Sequence, residues 1–515
     1  MIHVPVLQHL LHRQDDMNGK ISISGSANGK AALLEKLRKS TTGLDVEYTL
    51  ASGEKTRRVY LDSTASTLQL GIVRDVMRKY MPYYSNTHTN VHFGAKLSSR
   101  EFEWAHDMVL SFVDADPERY TAFYVGSGTT GGINRIARTL KEKRPGKKVV
   151  ITSIMEHHSN DLPHRRNFDE VVHIPTVTNS NQLGCVDIKR IEKALQQYGE
   201  NVNYISVTGV SNVTGIINPI YDIAELAHRY GTLIVVDAAQ MAAHVPIRMS
   251  GHENPNRDLD LIALSGHKIY TPASPGVVVT RKQLFEDIEP VEVGGGMVDD
   301  VHINRYLPTQ HFPDREEAGT PNIAGAIALS TVLYALRKIG MDFIDDEEER
   351  LIRYAIEQME QIKGVLIYGD TDPGKVRRTG ALSFNIEGLD HSLTAAILND
   401  YFNIAVRNAC FCAHPYVREM ITDELSEYAD EMSNEELEAL AQLHRGMVRA
   451  SFGLYNNEAD VDALVSALHR ICANKVFYQN NYHQVSCGDF LHNRFTFDST
   501  PIFSVEDEVD RWFEA

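Results

Sequence analysis

Residues 259–279 read LDLIALSGHKIYTPASPGVVV. An apolar run ends at Ser265-Gly266-His267-Lys268, and a second begins just after Pro275 and Gly276. The pattern predicts strands at Leu261–Ala263 and Val277–Thr280 joined by a polar turn. A lysine at the end of a buried strand, beside serine and histidine, admits two readings. It is a solvated turn residue whose stem covers apolar surface. Or it is a nucleophilic amine that forms a Schiff base while its neighbours bind an anion. The stretch alone leaves both open.

Upstream, LIVVDAAQ (233–240) delivers Asp237 to the end of another apolar run. A carboxylate there needs a cationic partner. The protonated pyridine nitrogen of pyridoxal phosphate is one; capping of the next helix is the alternative. In YVGSGTTGGINRIA (124–137), small residues open a helix after a strand. Its first backbone N–H groups, with the Thr129 and Thr130 hydroxyls, suit a phosphate. The Gly-Lys-Ser/Thr ending of a P-loop is absent. Gly126, Gly128 and Gly131 match the letters of a dinucleotide fingerprint, but no acidic residue follows at the required strand end. In TSIMEHHSNDLP (152–163), His157 and His158 read as metal ligands or as flat rings stacking on a flat cofactor. No matching Cys or carboxylate spacing supports a metal, and none is expected. Asn212, in VTGVSNVTGIINPI (207–220), falls at a further strand end.

Outward from these motifs, short apolar runs alternate with helix-length amphipathic segments. Strands are expected at Val59–Leu61, Ala122–Val125, Lys148–Thr152, Val171–Ile174, Tyr204–Val207 and Leu233–Val236, with helices at Lys189–Tyr198 and Ile220–Tyr230. Such alternation means an α/β fold with a mostly parallel sheet. Long helices follow at Asn322–Ile339 and Asp345–Gln361, then strands at Ala381–Asn385 and Ile404–Val406. The expected organisation is an N-terminal arm (1–57) with a helix at Lys30–Lys39, a large domain (58–325), a smaller α+β domain (326–474) and an aromatic-rich extension (475–515). Within the small domain, 417–445 carries nine acidic residues and reads as helical, with a capping box at Ser433 and Glu436. The aromatics of the extension are expected to pack against their own domain rather than anchor an interface.

The chain has 515 residues, too many for one ordinary domain, and a formal net charge of −18 with no basic stripe. That argues against a nucleic-acid partner. No run of about 18 apolar residues suits a membrane span, and the first residues make a poor signal peptide. Five cysteines do not form a disulfide framework and read as reduced thiols of a cytoplasmic protein.

Eight motifs occur in one order: Glu156-His157-His158, Ser211 to Gly215 (SNVTG), Asp237 to Gln240 (DAAQ), Ser265 to Lys268 (SGHK), Gly294 to Met297 (GGGM), Glu317 to Asn322 (EAGTPN), Ala405-Val406-Arg407, and Arg449 to Asn456 (RASFGLYN). In these the chain resembles the class V aminotransferases of the fold type I pyridoxal-phosphate enzymes over about residues 55–473. It is most similar to the group II cysteine desulfurases and selenocysteine lyases. The resemblance implies that Lys268 holds pyridoxal 5′-phosphate and moves the substrate Cα proton. It implies that Asp237 pairs with the pyridine nitrogen, His157 stacks on the ring and Gln240 bonds the phenolic oxygen. Thr130, Ser265 and His267, helped by Thr129, would hold the phosphate, with Thr320 donated across a homodimer. Asn212 would lie beside cofactor and substrate, Arg449 would clamp the substrate carboxylate, and His92 and Arg407 would lie on the substrate side.

The segment AVRNACFCAHP (405–415) chooses among reactions. Family desulfurases carry a nucleophilic cysteine followed by alanine five residues after the arginine, and Arg407 with Cys412-Ala413 keeps that spacing. Arg407, His92 and His414 would favour the thiolate. Two buried structural cysteines are the alternative. The sequence departs from the family at Ala409, where glycine is usual, and at Phe93, where arginine is usual. Cys410 adds a Cys-x-Cys, as in the desulfurase domain of molybdenum-cofactor sulfurases. The expected function is therefore a cysteine desulfurase that moves sulfur from L-cysteine to Cys412 as a persulfide, releases L-alanine and serves a sulfur-acceptor protein. Two other readings stand beside it. One is another class V reaction: a C–S lyase on a larger thioether or sulfoxide, a selenocysteine lyase or an epimerase. The other is a degenerate binding or cargo protein.

Overall fold

The computed structural model describes residues 27–89, 91–179, 182–428, 433, 446–485 and 488–515. Seven strands form the central sheet: β1 (Tyr120–Val125), β2 (Val149–Ser153), β3 (Glu170–Ile174), β4 (Val202–Thr208), β5 (Leu233–Asp237), β6 (Leu261–Ser265) and β7 (Gly276–Arg281). Their spatial order is β1-β7-β6-β5-β4-β2-β3. Only β7 runs antiparallel to its neighbours. Every residue of β1, β2, β4 and β6 is buried. Helices cover both faces, which is why these strands read as continuous apolar runs rather than alternating ones.

One face packs Phe123, Val150, Val235 and Val278 against Ile133, Ile136 and Leu140 of the helix Gly128–Lys143. The other face buries the helices Phe93–Phe112, Ile220–Arg229 and Ile323–Ile339. The register pairs Asp237 with Thr208 and Ala263, Ser265 with Gly276, and Gly276 with Val125. The carboxyl ends of β1, β4, β5 and β6 therefore form one row, where such sheets bind ligands.

A second sheet orders β8 (Val365–Ile367), β9 (Ala381–Ile386), β10 (Arg407–Ala409) and β11 (Met447–Ser451) as β8-β9-β11-β10, all antiparallel. Its core joins Phe384 and Val448 to Leu351, Ile397 and Leu464 from three helices. The strand expected at Val59–Leu61 is two residues long and pairs with Ile404–Ala405 beside this sheet, not with the large one. An apolar triplet carries no information about its partner, and here the partner lies far along the chain. The helix expected at Asp345–Gln361 starts earlier, at Met341, directly after Gly340 at φ +96°.

Of the acidic insert, the structure describes the helix His414–Tyr428; most of 429–445, including Glu436 of the expected capping box, lies outside the described residues. Cys487 and residues 1–26 also lie outside them. The extension divides in two. Tyr478 and Tyr482 are buried, Tyr478 and His492 pack on Tyr401, and the Tyr482 hydroxyl donates to Asp400 (3.0 Å). The last helix, Val505–Glu514, buries nothing, and Trp512 and Phe513 are 75% and 77% exposed. Its aromatics do not follow the expectation of packing inward. Among the described residues no single helix is long and apolar enough to cross a membrane.

Candidate active site

The row of strand ends opens into a cavity of about 270 Å³. Lys268, Asp237, His157, Gln240, Asn212 and Ser265 line it, with Thr129, Thr130 and His267 at one end and Arg407, Cys412 and Arg449 at the other. Twelve residues spread over 321 positions of sequence thus meet in one place, between Thr129 and Arg449.

At the first end, Ser127 (φ +55°) and Gly128 (φ +60°) turn the chain from β1 into the helix Gly128–Lys143. A Cβ on Gly128 would stand 2.6 Å from Ser265 Oγ, so only glycine allows this approach. Ser265 Oγ accepts from the Thr129 N–H (2.7 Å) and bonds the Thr129 hydroxyl (2.9 Å). The Thr130 hydroxyl bonds Ser159 Oγ (2.7 Å), which also contacts His157 Nδ1 (3.0 Å). Ser127 makes no side-chain cap to the helix. Hydroxyls of Thr129, Thr130, Ser159 and Ser265 thus gather at a helix start, an arrangement that can hold a phosphate.

At mid-cavity Asp237 is buried at the end of β5. Its Oδ1 accepts from the Ala239 N–H (2.9 Å). Burial pushes its carboxyl upward, while that N–H and the Lys268 ammonium pull it back. Burial lowers Lys268 to about 8; Asp237 opposes this and Arg449 adds to it. His157 falls to about 4, through burial first and then the nearby Lys268 charge, so its ring is neutral at neutral pH. Gln240 is anchored by donating to Thr64 O (2.9 Å).

At the far end Arg407 and Arg449 stand directly opposite each other across β10 and β11. Like charges in that register repel. Asp62 lies between them, 3.3 Å from Arg449 and 3.8 Å from Arg407. Arg449 also donates to Asn212 O (2.9 Å), and its guanidinium lies 4.6 Å from the Phe411 ring centroid. Its buried Nε has no partner among the described residues, and burial holds the group down at about 10. Three cations, Lys268, Arg407 and Arg449, thus face two carboxylates. The surplus favours an anionic ligand.

Cys412 sits on the turn that follows β10. Asn212 Nδ2 donates to Phe411 O and the His158 N–H to Cys412 O, each at 2.8 Å. Sequence reasoning missed Asp62, Ser159 and Phe411. Ser159 stands two residues from His157 and was within reach of a motif reading. Asp62 was not, because its role depends on an arginine 387 positions away.

Two expected residues do not reach this cavity within one chain. His92 is exposed, and its Nδ1 caps the helix Phe93–Phe112 by accepting from Ala95 N (3.3 Å). Thr320 is exposed and accepts from Asn86 Nδ2 (3.2 Å), beside a neighbouring cavity lined by Ser127 and Glu317.

The chain is 33% identical over 416 residues to a probable cysteine desulfurase of Halalkalibacterium halodurans, an alignment covering 80% of this chain and 92% of that one. It is 30% identical over 419 residues to a cysteine desulfurase of Yersinia pseudotuberculosis, covering 80% and 93%. Among solved structures, a cysteine desulfurase of Thermococcus onnurineus superposes with a TM-score of 0.69 at 28% identity, covering 81% of this chain and 95% of that one. The cysteine desulfurase CsdA of Escherichia coli gives 0.66 at 26%, covering 85% and 98%. The aminotransferase class-V model matches residues 59–464, which span both sheets and every residue lining the cavity, and the chain belongs to that family.

Proposed function

We propose that this chain is a pyridoxal-phosphate-dependent cysteine desulfurase that takes sulfur from L-cysteine onto Cys412 and releases L-alanine. One observation carries the reading. An exposed cysteine on a turn lines the same cavity as a lysine and a buried aspartate, at the same end as a buried arginine. The kinship with proteins named cysteine desulfurase supports it.

The residues present fit the cofactor. The phosphate would sit in the cradle of Thr129, Thr130, Ser265 and His267. Asp237, buried and bonded to a backbone N–H rather than to a cation, would hold the proton of the pyridine nitrogen. The neutral His157 ring would stack on the cofactor, and Gln240 would reach the phenolic oxygen. Bound there, pyridoxal phosphate supplies an electron sink for negative charge developing at the substrate Cα.

The remaining steps belong to the chain. Arg449, held by Asp62 and Asn212 in the cavity wall, would hold the substrate carboxylate with its guanidinium. Lys268 would hold the cofactor and, once free, take the Cα proton; an amine lowered to about 8 is partly unprotonated near neutral pH. The Cys412 thiolate attacks the substrate sulfur. The new S–S bond forms as the Cβ–S bond breaks, and that bond's electron pair stays with the carbon skeleton that leaves as alanine. Thr320 lies outside this chain's cavity, which fits its donation by a second copy in a homodimer. The outer sulfur would then pass to an acceptor protein.

The test is incubation of the holoenzyme with L-cysteine. Alanine should appear with one sulfur added to Cys412, and Cys412→Ala should abolish both while keeping the cofactor colour. Full desulfuration by C412A would sink the reading, and activity on selenocysteine alone would make the chain a lyase.

A further inference from the structure

The N-terminal arm and the C-terminal extension meet beside the small sheet, and the reaction uses neither. The arm's strands Glu47–Thr49 and Lys55–Arg57 form a hairpin. Asn403, at the end of the helix His391–Phe402, ties it down by donating to Thr56 O (2.7 Å). On the other side the Tyr401 hydroxyl bonds His492 Nε2 (2.8 Å), and His492 Nδ1 accepts from the Phe495 N–H (2.9 Å). A second cavity, of about 230 Å³, opens between arm, helix and extension. It shares no lining residue with the first. Tyr48, Phe495 and Phe497 in its wall lie outside residues 59–464, so segments that the family model does not match build part of it.

Its wall carries three kinds of group. The first is aromatic: the rings of Phe497 and Tyr48 meet edge to face with centroids 5.5 Å apart, and Phe495 joins them. Such rings offer flat apolar surface. The second is a cation, Arg58, which donates to Gly43 O and lies 5.1 Å from the Tyr60 ring centroid. The third is a carboxylate, Asp400, which accepts from the Tyr482 hydroxyl and from Asn399 Nδ2 (2.8 Å). Among the described residues these partners are all neutral, and neither charge makes an ion pair. A carboxylate has about four lone-pair sites and a guanidinium five N–H groups, so both keep capacity for a ligand of opposite charge. The volume falls somewhat below the roughly 300–1,000 Å³ of drug-sized sites, which suits a ligand the size of an amino acid.

We propose that this second cavity binds a free aromatic α-amino acid, with its carboxylate on Arg58, its ammonium on Asp400 and its ring against Tyr48, Phe495 and Phe497. One cation and one carboxylate beside flat rings match a zwitterion with a flat apolar body. A simple anion would leave Asp400 facing it, and a simple cation would face Arg58; like charges in one small space repel. The site stands whichever reaction the first cavity performs, because the two have no wall in common.

The experiment titrates the full-length holoenzyme calorimetrically with L-phenylalanine, L-tyrosine and L-tryptophan while the cofactor absorption is followed. At least one should bind once per chain, with Kd about 0.01–1 mM and the absorption unchanged. Analogues of that amino acid lacking the carboxylate or the ammonium should each bind roughly tenfold or more weakly. Arg58→Gln should weaken binding by a similar factor. Phe497 is half exposed, so Phe497→Ala keeps the fold, checked by the melting temperature, and should also weaken it. Binding by none of the three amino acids overturns the inference. So does an affinity unchanged in both variants, or an analogue that binds as tightly as the amino acid. Binding that alters the cofactor absorption and survives Arg58→Gln puts the amino acid in the first cavity and overturns the inference as well.

Discussion

Replacing Arg449 with lysine keeps the charge and removes the fork. The guanidinium serves Asn212 O at 2.9 Å, Asp62 at 3.3 Å and the face of Phe411 at once while lining the cavity. An ammonium on a flexible stem cannot cover those directions together. The substrate carboxylate then loses one arm of a two-point contact, worth about 1.5–3 kcal/mol for a bond to a charged group. The lost stacking on Phe411 loosens the cation by a further ~0.5–1 kcal/mol. The sum, about 2–4 kcal/mol, is roughly a 30- to 900-fold fall in kcat/KM for L-cysteine. Steady-state alanine formation measures it. Most of the loss should appear in KM, with the cofactor absorption unchanged. A kcat/KM within threefold of wild type, in a protein that unfolds at the wild-type temperature, would refute the assignment of Arg449 as the carboxylate clamp.

Glu156 is buried between Ser153 and Asn160, and burial raises its carboxyl from 4.5 to about 8. It is protonated in the fold at a pH where it ionises once unfolded. Its contribution to stability is full below about 4.5 and disappears as pH climbs through about 8. Denaturant unfolding across that window should show the decline, and Glu156→Gln should flatten it; an unchanged slope removes Glu156 as its source. Ala409 stands at φ +97°, so Ala409→Gly should relieve strain and stabilise the protein by about 1 kcal/mol, net of the entropy glycine loses. A lower melting temperature would show that the methyl group packs usefully. Deleting residues 498–515 removes a helix that buries nothing, so the melting temperature should move by no more than about 2–4 °C. Deleting from residue 475 strips Tyr478 and Tyr482 from the small core and should cost at least about 3 kcal/mol.

Much of the large unit was legible in the chain. Buried parallel strands read as continuous apolar runs, and each expected strand of the central sheet lies within a residue or two of an observed one. Motif order named Lys268, Asp237, Thr129, Thr130, Ser265 and Cys412, which the structure brings to one cavity, because each stands at a strand end or helix start that leaves a local mark. Short pairings were not legible. Val59–Tyr60 carries no sign that it pairs with Ile404–Ala405. The aromatic extension looked uniform, yet its first half is docked and its last helix is bare.

The sequence by itself determined the fold class, the family resemblance and twelve of the nineteen residues lining the cavity, because those rest on local pattern and ordered motifs. Only the tertiary structure decided their relations. It placed Asp62 between two arginines that the small sheet sets face to face. It left His92 and Thr320 outside one chain's cavity. It put Cys410 and Cys412 at two corners of a turn held in left-handed backbone. Each of these depends on a strand register or a packing contact between segments far apart in the chain, and neither residue type nor spacing encodes it.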